Sequence, residues 1–411
     1  MSSRSRIFVC APLMLAAVFC STESVAQKKY DTGASDTEIK IGNIMPYSGP
    51  VSSYSVIGKT EAAYFNKINA EGGINGRQIK FISYDDSYSP PKAIEQARKL
   101  VESDEVLLIF QPVGTQSNSA IQKYMNAKKV PQLFVGSGAT KFGDPKRFPW
   151  TMGWMPNYQS EGHIYAKYIL DHFPDAKIAV FWQNDDSGKD QFKGLRDGLG
   201  DKASMIIADK SYEVTDPSID SQIVTLRDSG ADTFFSLAAP KGSAQAIRKV
   251  GEIGWKPRFF LANVSTSVAS VLKPAGLQNA KDIISTAYLK DPTDPAWKDD
   301  SGVHAWRTFM DKYYPEGDKS DWNTLYGYAV AQTMVQVLKQ CGDDLTRENV
   351  MRQAANLKDF SSEMLLPDIK INTSPDDFFP IEQMQLMKFD GQAWQRFGDV
   401  LTGDIGERTG Q

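Results

Sequence analysis

From residue 39 the chain alternates short apolar, β-branched runs with longer amphipathic stretches. The runs at 39–44, 78–84, 106–110 and 131–135 predict strands, and the stretches at 55–71, 91–102 and 116–127 predict helices between them. Punctuation agrees: Pro90-Pro91 opens one helix at positions that tolerate proline, and Gly72-Gly73 follows the end of another. This is a βαβ series, whose right-handed crossovers give a parallel sheet covered by helices, with ligands outside the carboxyl ends of the strands. The pattern then restarts, with strands expected at 177–182, 203–208, 233–237, 258–261 and 283–288 and helices at 189–199, 219–228, 242–253 and 268–272. Helices at 295–314, 322–341 and 347–357 follow, and the tail alternates like a strand through Met384, Leu386, Met387 and Phe389 before the turn Asp390-Gly391. The expected class is α/β, two Rossmann-like lobes with central, mostly parallel sheets. No low-complexity linker separates the halves, which favours several chain crossings over two beads on one string.

Composition changes this picture only at the start of the chain. Arg4 and Arg6, an apolar run at 7–19 and the small residues Ser24-Val25-Ala26 read as a secretory signal peptide over residues 1–26. The apolar run is too short to span a bilayer, which takes roughly 20 residues. Cys10 and Cys20 leave with it, so only Cys341 remains and no intramolecular disulfide is possible. Phe19 and Val9 precede the signal cysteines where a lipid-anchor site wants a small residue. A large exported chain without disulfides points to the bacterial periplasm. Two arginines and one glutamate leave with the signal, taking the formal charge from −4 to −5. A mildly acidic chain without long basic runs argues against nucleic acid as partner.

Chemical motifs are sparse. The stretch LFVGSGATKF at 133–142 looks like a phosphate loop, but Lys141 stands where a dinucleotide fingerprint needs glycine, and Val135 where a nucleophile elbow needs one. Two readings stay open: a plain turn after a strand, or a loop whose backbone and hydroxyls, Ser137 and Thr140, meet a carboxylate. His163, His172 and His304 fall on predicted helices outside any metal or catalytic pattern. Asp85-Asp86 point to opposite faces of a strand end and read as loop caps. In Asn184-Asp185-Asp186-Ser187-Gly188, capping and ligand contact are evenly balanced. Tyr47, Tyr54, Trp150, Trp154 and Trp182 fall where a cleft between lobes belongs and jointly suggest an aromatic-walled site.

The segments IKIGNIMPYSGPVSSYSVIGK, NKINAEGGINGRQIKFISYDDSYSP and KAIEQARKLVESDEVLLIFQPVGTQSNSA carry a more specific signal. With ADTFFSLAAPKGSAQAIRKVGEIGWKPRFF and the Tyr326-Gly327-Tyr328 helix, the chain resembles the type I periplasmic binding proteins of the branched-chain amino-acid class, the soluble receptors of ABC importers. That resemblance implies two lobes joined by three hinge crossings, one from 27–156 plus 290–365 and the other from 157–289 plus 366–411. It implies ligand contacts from Tyr47, Tyr54, Thr115, Gln116, Ser137, Ala139 and Thr140 on one side of the cleft, where the aromatic pattern adds Trp154, and from Asp185, Ser187, Ala239 and Asn263 on the other. GSGAT would hold the ligand carboxylate. The family's amino-acid receptors place an acid in the second-lobe loop where this chain has Asn263, with Asp185 or Asp186 as possible substitutes.

The resulting expectation is a periplasmic, monomeric, non-enzymatic solute-binding protein without cofactor or metal, delivering a small carboxylate-bearing ligand to an ABC transporter permease in the inner membrane. An aromatic or hydrophobic organic acid is favoured, with branched-chain or other amino acids as the alternative. A ligand-sensing receptor is the rival role, and an exported enzyme is disfavoured by the sparse histidines.

Overall fold

The computed structural model describes residues 28–403, and the expected signal peptide lies outside them. Five parallel strands form the first sheet in the order Gln78–Asp85, Glu38–Met45, Leu108–Phe110, Gln132–Val135 and Thr151–Gly153. The second sheet has seven strands, in the order Trp394–Thr402, Gln383–Phe389, Ile284–Ala287, Arg258–Leu261, Thr233–Leu237, Ile178–Gln183 and Ile206–Tyr212. Gln383–Phe389, which leads to the turn expected at Asp390-Gly391, runs antiparallel to Ile284–Ala287, and Trp394–Thr402 runs antiparallel to Gln383–Phe389. The chain passes to the second sheet after Gly153, returns after Ala287 and crosses again before Gln383.

The helices assort with the sheets. Ser301–Tyr313 and Trp322–Cys341 pack on Ser55–Ala70 in the first lobe, and Tyr158–His172 packs along Asp186–Leu199 in the second. The stretch 366–382, expected in the second lobe, stays beside the first: Ile371 bridges to Phe360, and the Phe379 ring fills the space a side chain at Gly143 would need.

Three elements differ from the sequence pattern. Thr151–Gly153 is too short to show a period. The strand expected at 203–208 runs at Ile206–Tyr212, because a helical turn occupies Gly200–Met205. The long helix expected at 295–314 is a turn at Pro295–Trp297 and a helix at Ser301–Tyr313 capped by Asp300.

The phrase INAEGGINGR has a structural reason. Gly73 has φ +75, and a Cβ there would sit 2.1 Å from the Arg77 carbonyl oxygen. The tight turn delivers the buried Arg77 guanidinium to the Ser35 carbonyl, the Tyr30 hydroxyl and Asp343. One side chain thus ties the parallel pair Lys29–Tyr30 and Asp344–Leu345 to the lobe.

Candidate functional site

Loops leaving the carboxyl ends of both sheets enclose a cavity between the lobes, where parallel-sheet geometry puts ligands. The first lobe contributes Tyr54, Tyr88, Gly114, Thr115 and Gly136, and the second contributes Gln183, Ser187, Gln191, Ala239 and Val264. Tyr158 enters from the first passage, and Trp322, Asn323 and Tyr326 from the helix Trp322–Cys341. None of the lining residues carries a formal charge.

Each aromatic wall has a local cause. Tyr88 takes the left-handed conformation, φ +59, because the buried Asp86 accepts its N–H at 2.9 Å and also accepts from Ser117. Its ring lies against Gly114, where φ is +104 and a Cβ would come within 2.3 Å of the ring. Only glycine satisfies both conditions. Tyr158 begins a helix capped by the Asn157 side chain, and its ring packs where Gly138 leaves room. Tyr326 accepts a hydrogen bond from Gln111 at 2.6 Å and packs between Trp154 and Trp322. Burial pushes Tyr54, Tyr88, Tyr158 and Tyr326 upward, so all four phenols remain protonated and able to donate near neutral pH.

One end of the cavity suits an anion. Thr115 opens the helix Thr115–Lys128, whose N-terminus has no side-chain cap, and its Oγ1 lies 2.7 Å from Ser137 Oγ. Helix N-terminal N–H groups and hydroxyls together favour a carboxylate.

The cleft is closed, with bonds between the lobes around its mouth. Tyr54 donates across it to the Val264 carbonyl at 3.1 Å, and Gln116 to Asp185 at 3.0 Å. Lys141 pairs with Asp186 at 2.6 Å, and Thr140 donates its N–H and hydroxyl to Asp190 at 2.8 and 2.9 Å. On another side of the mouth Ser267 donates to Asp321 at 2.9 Å.

Of the residues expected from sequence, Tyr54, Thr115, Ser187 and Ala239 line the cavity, while Ser137 and Gln116 bond its wall or rim. Asp185 caps the helix Asp186–Leu199 through Ser187 and Gly188 and also accepts from Gln183 at 2.6 Å and from Gln116, which engages its oxygens within the protein. The Asp85 and Asp86 carboxylates both bond loop N–H groups, the capping role read from sequence.

Others stand outside the wall. Tyr47 turns to Ser83, at 2.6 Å, and burial pushes its phenol up to about 12. Trp154 is fully buried behind Tyr326 and donates to Thr333. Trp182 points outward to Asp209. Thr140 is spent on Asp190, and Ala139 lies with it at the rim. Asn263 sits beneath the floor, its N–H donated to Glu161 at 2.8 Å. Tyr88, Tyr158, Trp322 and Gln191 were missed. For Tyr88 the available signal was its place after Asp85-Asp86 at a strand end, and for Trp322 and Tyr326 their helical spacing of four.

A family model described as Periplasmic binding protein matches residues 38–393. The curated Leu/Ile/Val-binding protein homolog 1 of Brucella abortus (strain 2308) is 26% identical over 325 residues, covering 77% of this chain and 82% of the relative. Homolog 7 of the same strain is 23% identical, covering 77% and 81%. A solved branched chain amino acid ABC transporter structure from Thermus thermophilus, with bound valine, aligns with TM-score 0.81 at 14% identity, covering 90% of this chain and 97% of that one. A fatty acid ABC transporter substrate-binding protein from Thermomonospora curvata aligns with TM-score 0.76 at 18% identity, covering 91% and 95%. At such identities the two structures speak for the fold.

Proposed function

The chain belongs to the periplasmic binding protein family, and from that premise we propose that it captures an apolar α-amino acid of the leucine, isoleucine and valine class between its lobes. Members of this family bind substrates rather than convert them, and membership implies export to the periplasm, a small-molecule ligand and a permease partner. In our reading one copy of the chain suffices for capture.

The observation that carries the proposal is the uncapped N-terminus at Thr115, opening onto a neutral cavity walled by aromatic and aliphatic side chains. The ligand carboxylate sits at that end, and its side chain lies among Tyr88, Trp322, Val264 and Leu237. Its ammonium meets neutral acceptors, chiefly Gln191 Oε1, a buried oxygen with no partner within the protein. The relatives' names favour an amino acid over the aromatic acid expected from sequence.

One observation supports a second reading. Among the described residues no acidic side chain lines the cavity, and a buried ammonium without a counter-charge costs several kcal/mol. An organic acid without an amine avoids that cost. Calorimetric titration with leucine, isoleucine and valine beside benzoate and phenylpropenoate acids decides between them. Submicromolar binding of the amino acids alone is the expected result; binding of the acids alone overturns it.

A further inference from the structure

Glu161 belongs to no wall of the cavity, yet it lies on the helix that begins with Tyr158 and is almost completely buried. Its Oε1 accepts three hydrogen bonds, from the Tyr165 hydroxyl at 2.8 Å, the Asn263 N–H at 2.8 Å and the Thr286 hydroxyl at 2.9 Å. These bonds tie the helix Tyr158–His172 to the strand Ile284–Ala287 and to the turn Asn263–Ser265. The middle residue of that turn, Val264, lines the cavity, and its carbonyl takes the Tyr54 hydroxyl from the opposite lobe. Glu161 therefore stands one bond behind a contact that closes the cleft.

Among the described residues no ion pair is formed by this carboxyl. The titratable groups around it are Tyr165 on its own helix and Tyr288 just beyond the strand Ile284–Ala287. His163 turns toward Gly198 on the neighbouring helix. The strand Gln383–Phe389 approaches the Asn263 side chain through Met384, and its Lys388 pairs with Asp282. The turn Asn263–Ser265 brings no charge of its own.

A second unpaired group lies beside it. Asn263, whose N–H Glu161 accepts, has a carboxamide oxygen that is buried without a donor. An ionised Glu161 has only acceptors to offer, whereas a neutral one carries an O–H. A single proton on Glu161 removes both the uncompensated buried charge and the orphan acceptor. We propose that Glu161 is held as the neutral carboxylic acid, shares its proton with the Asn263 carboxamide oxygen, and so acts as a positioning residue for the Asn263–Ser265 turn and for cleft closure.

Burial pushes the Glu161 carboxyl up to about 7, against the hydrogen bonds from Tyr165, Asn263 and Thr286. The folded chain thus holds this proton over a range in which the unfolded chain has released it. The associated stability is full below the ordinary glutamate value and is lost as pH rises through about 7.

The test begins without ligand. Infrared spectra of the wild type should show a carboxylic-acid C=O band at pH 6 that disappears by pH 8.5 and is missing in Glu161→Gln. Glu161→Gln keeps one acceptor and one donor, so its melting temperature should lack the wild-type decline over that interval. Asn263→Ala removes the acceptor and should move the midpoint of the band downward. In leucine titrations, wild-type affinity should fall severalfold from pH 6 to pH 8.5, and Glu161→Gln should stay flat. A band absent at pH 6, or unchanged in Glu161→Gln, overturns the proposal. The leucine arm rests on our reading of the cleft: if leucine fails to bind at either pH, that reading fails, and the infrared and melting results still decide the role of Glu161.

Discussion

The wall of the cavity and the rim of the same cleft are built from opposite materials. Inside, Tyr54, Tyr88, Tyr158, Tyr326 and Trp322 surround a space lined by no charged side chain. At the rim Lys141 meets Asp186, and Thr140 meets Asp190. Desolvating a charge is costly, whereas a half-exposed ion pair gains and loses little. Affinity therefore belongs to the wall, and the rim adjusts the balance between open and closed forms.

Substitutions can break this division, beginning with the largest effect. Gly114→Ala forces a side chain into the Tyr88 ring at a left-handed position, which costs about 1–3 kcal/mol of strain. It should lower the melting temperature and abolish tight binding in calorimetry. Thr115→Val removes a hydroxyl from the carboxylate end; a hydrogen bond to a charged group is worth roughly 1.5–3 kcal/mol, so affinity should drop about ten- to a hundredfold with the melting temperature held. Tyr54→Phe deletes one neutral bond across the cleft, worth about 0.5–1.5 kcal/mol. Stopped-flow measurement should place most of that loss in faster release. Lys141→Ala should change affinity by no more than about 1 kcal/mol, and the change should vanish at high salt. A Lys141→Ala effect as large as that of Thr115→Val would contradict the division.

The sequence carried the strand ends well and the side-chain directions poorly. Alternation and glycine-proline punctuation placed the loops after the strands, and on those loops the family resemblance pointed to Tyr54, Thr115, Ser187 and Ala239, which line the cavity. Residues beside them on the same loops turned elsewhere: Tyr47 to Ser83 and Thr140 to Asp190. A loop position tells which end of a sheet a residue reaches, while its rotamer depends on partners distant in the chain. Tyr88 shows the reverse case. Its place in the wall depends on a left-handed backbone held by Asp86 and on Gly114 across the loop. Neither is written in a local hydrophobic pattern.

The three passages between the lobes also bear on how this chain is made. Gly327, on the helix Trp322–Cys341, rests on the Ile57 carbonyl and on Thr60. The first lobe thus begins near the amino terminus and is completed only after five of the second lobe's seven strands, Ile178–Gln183 to Ile284–Ala287, have been synthesised. Contacts between such distant segments form slowly, because a long loop must close before they are rewarded. No single cut yields two contiguous halves, and a nascent chain stays without a finished first core for most of its length.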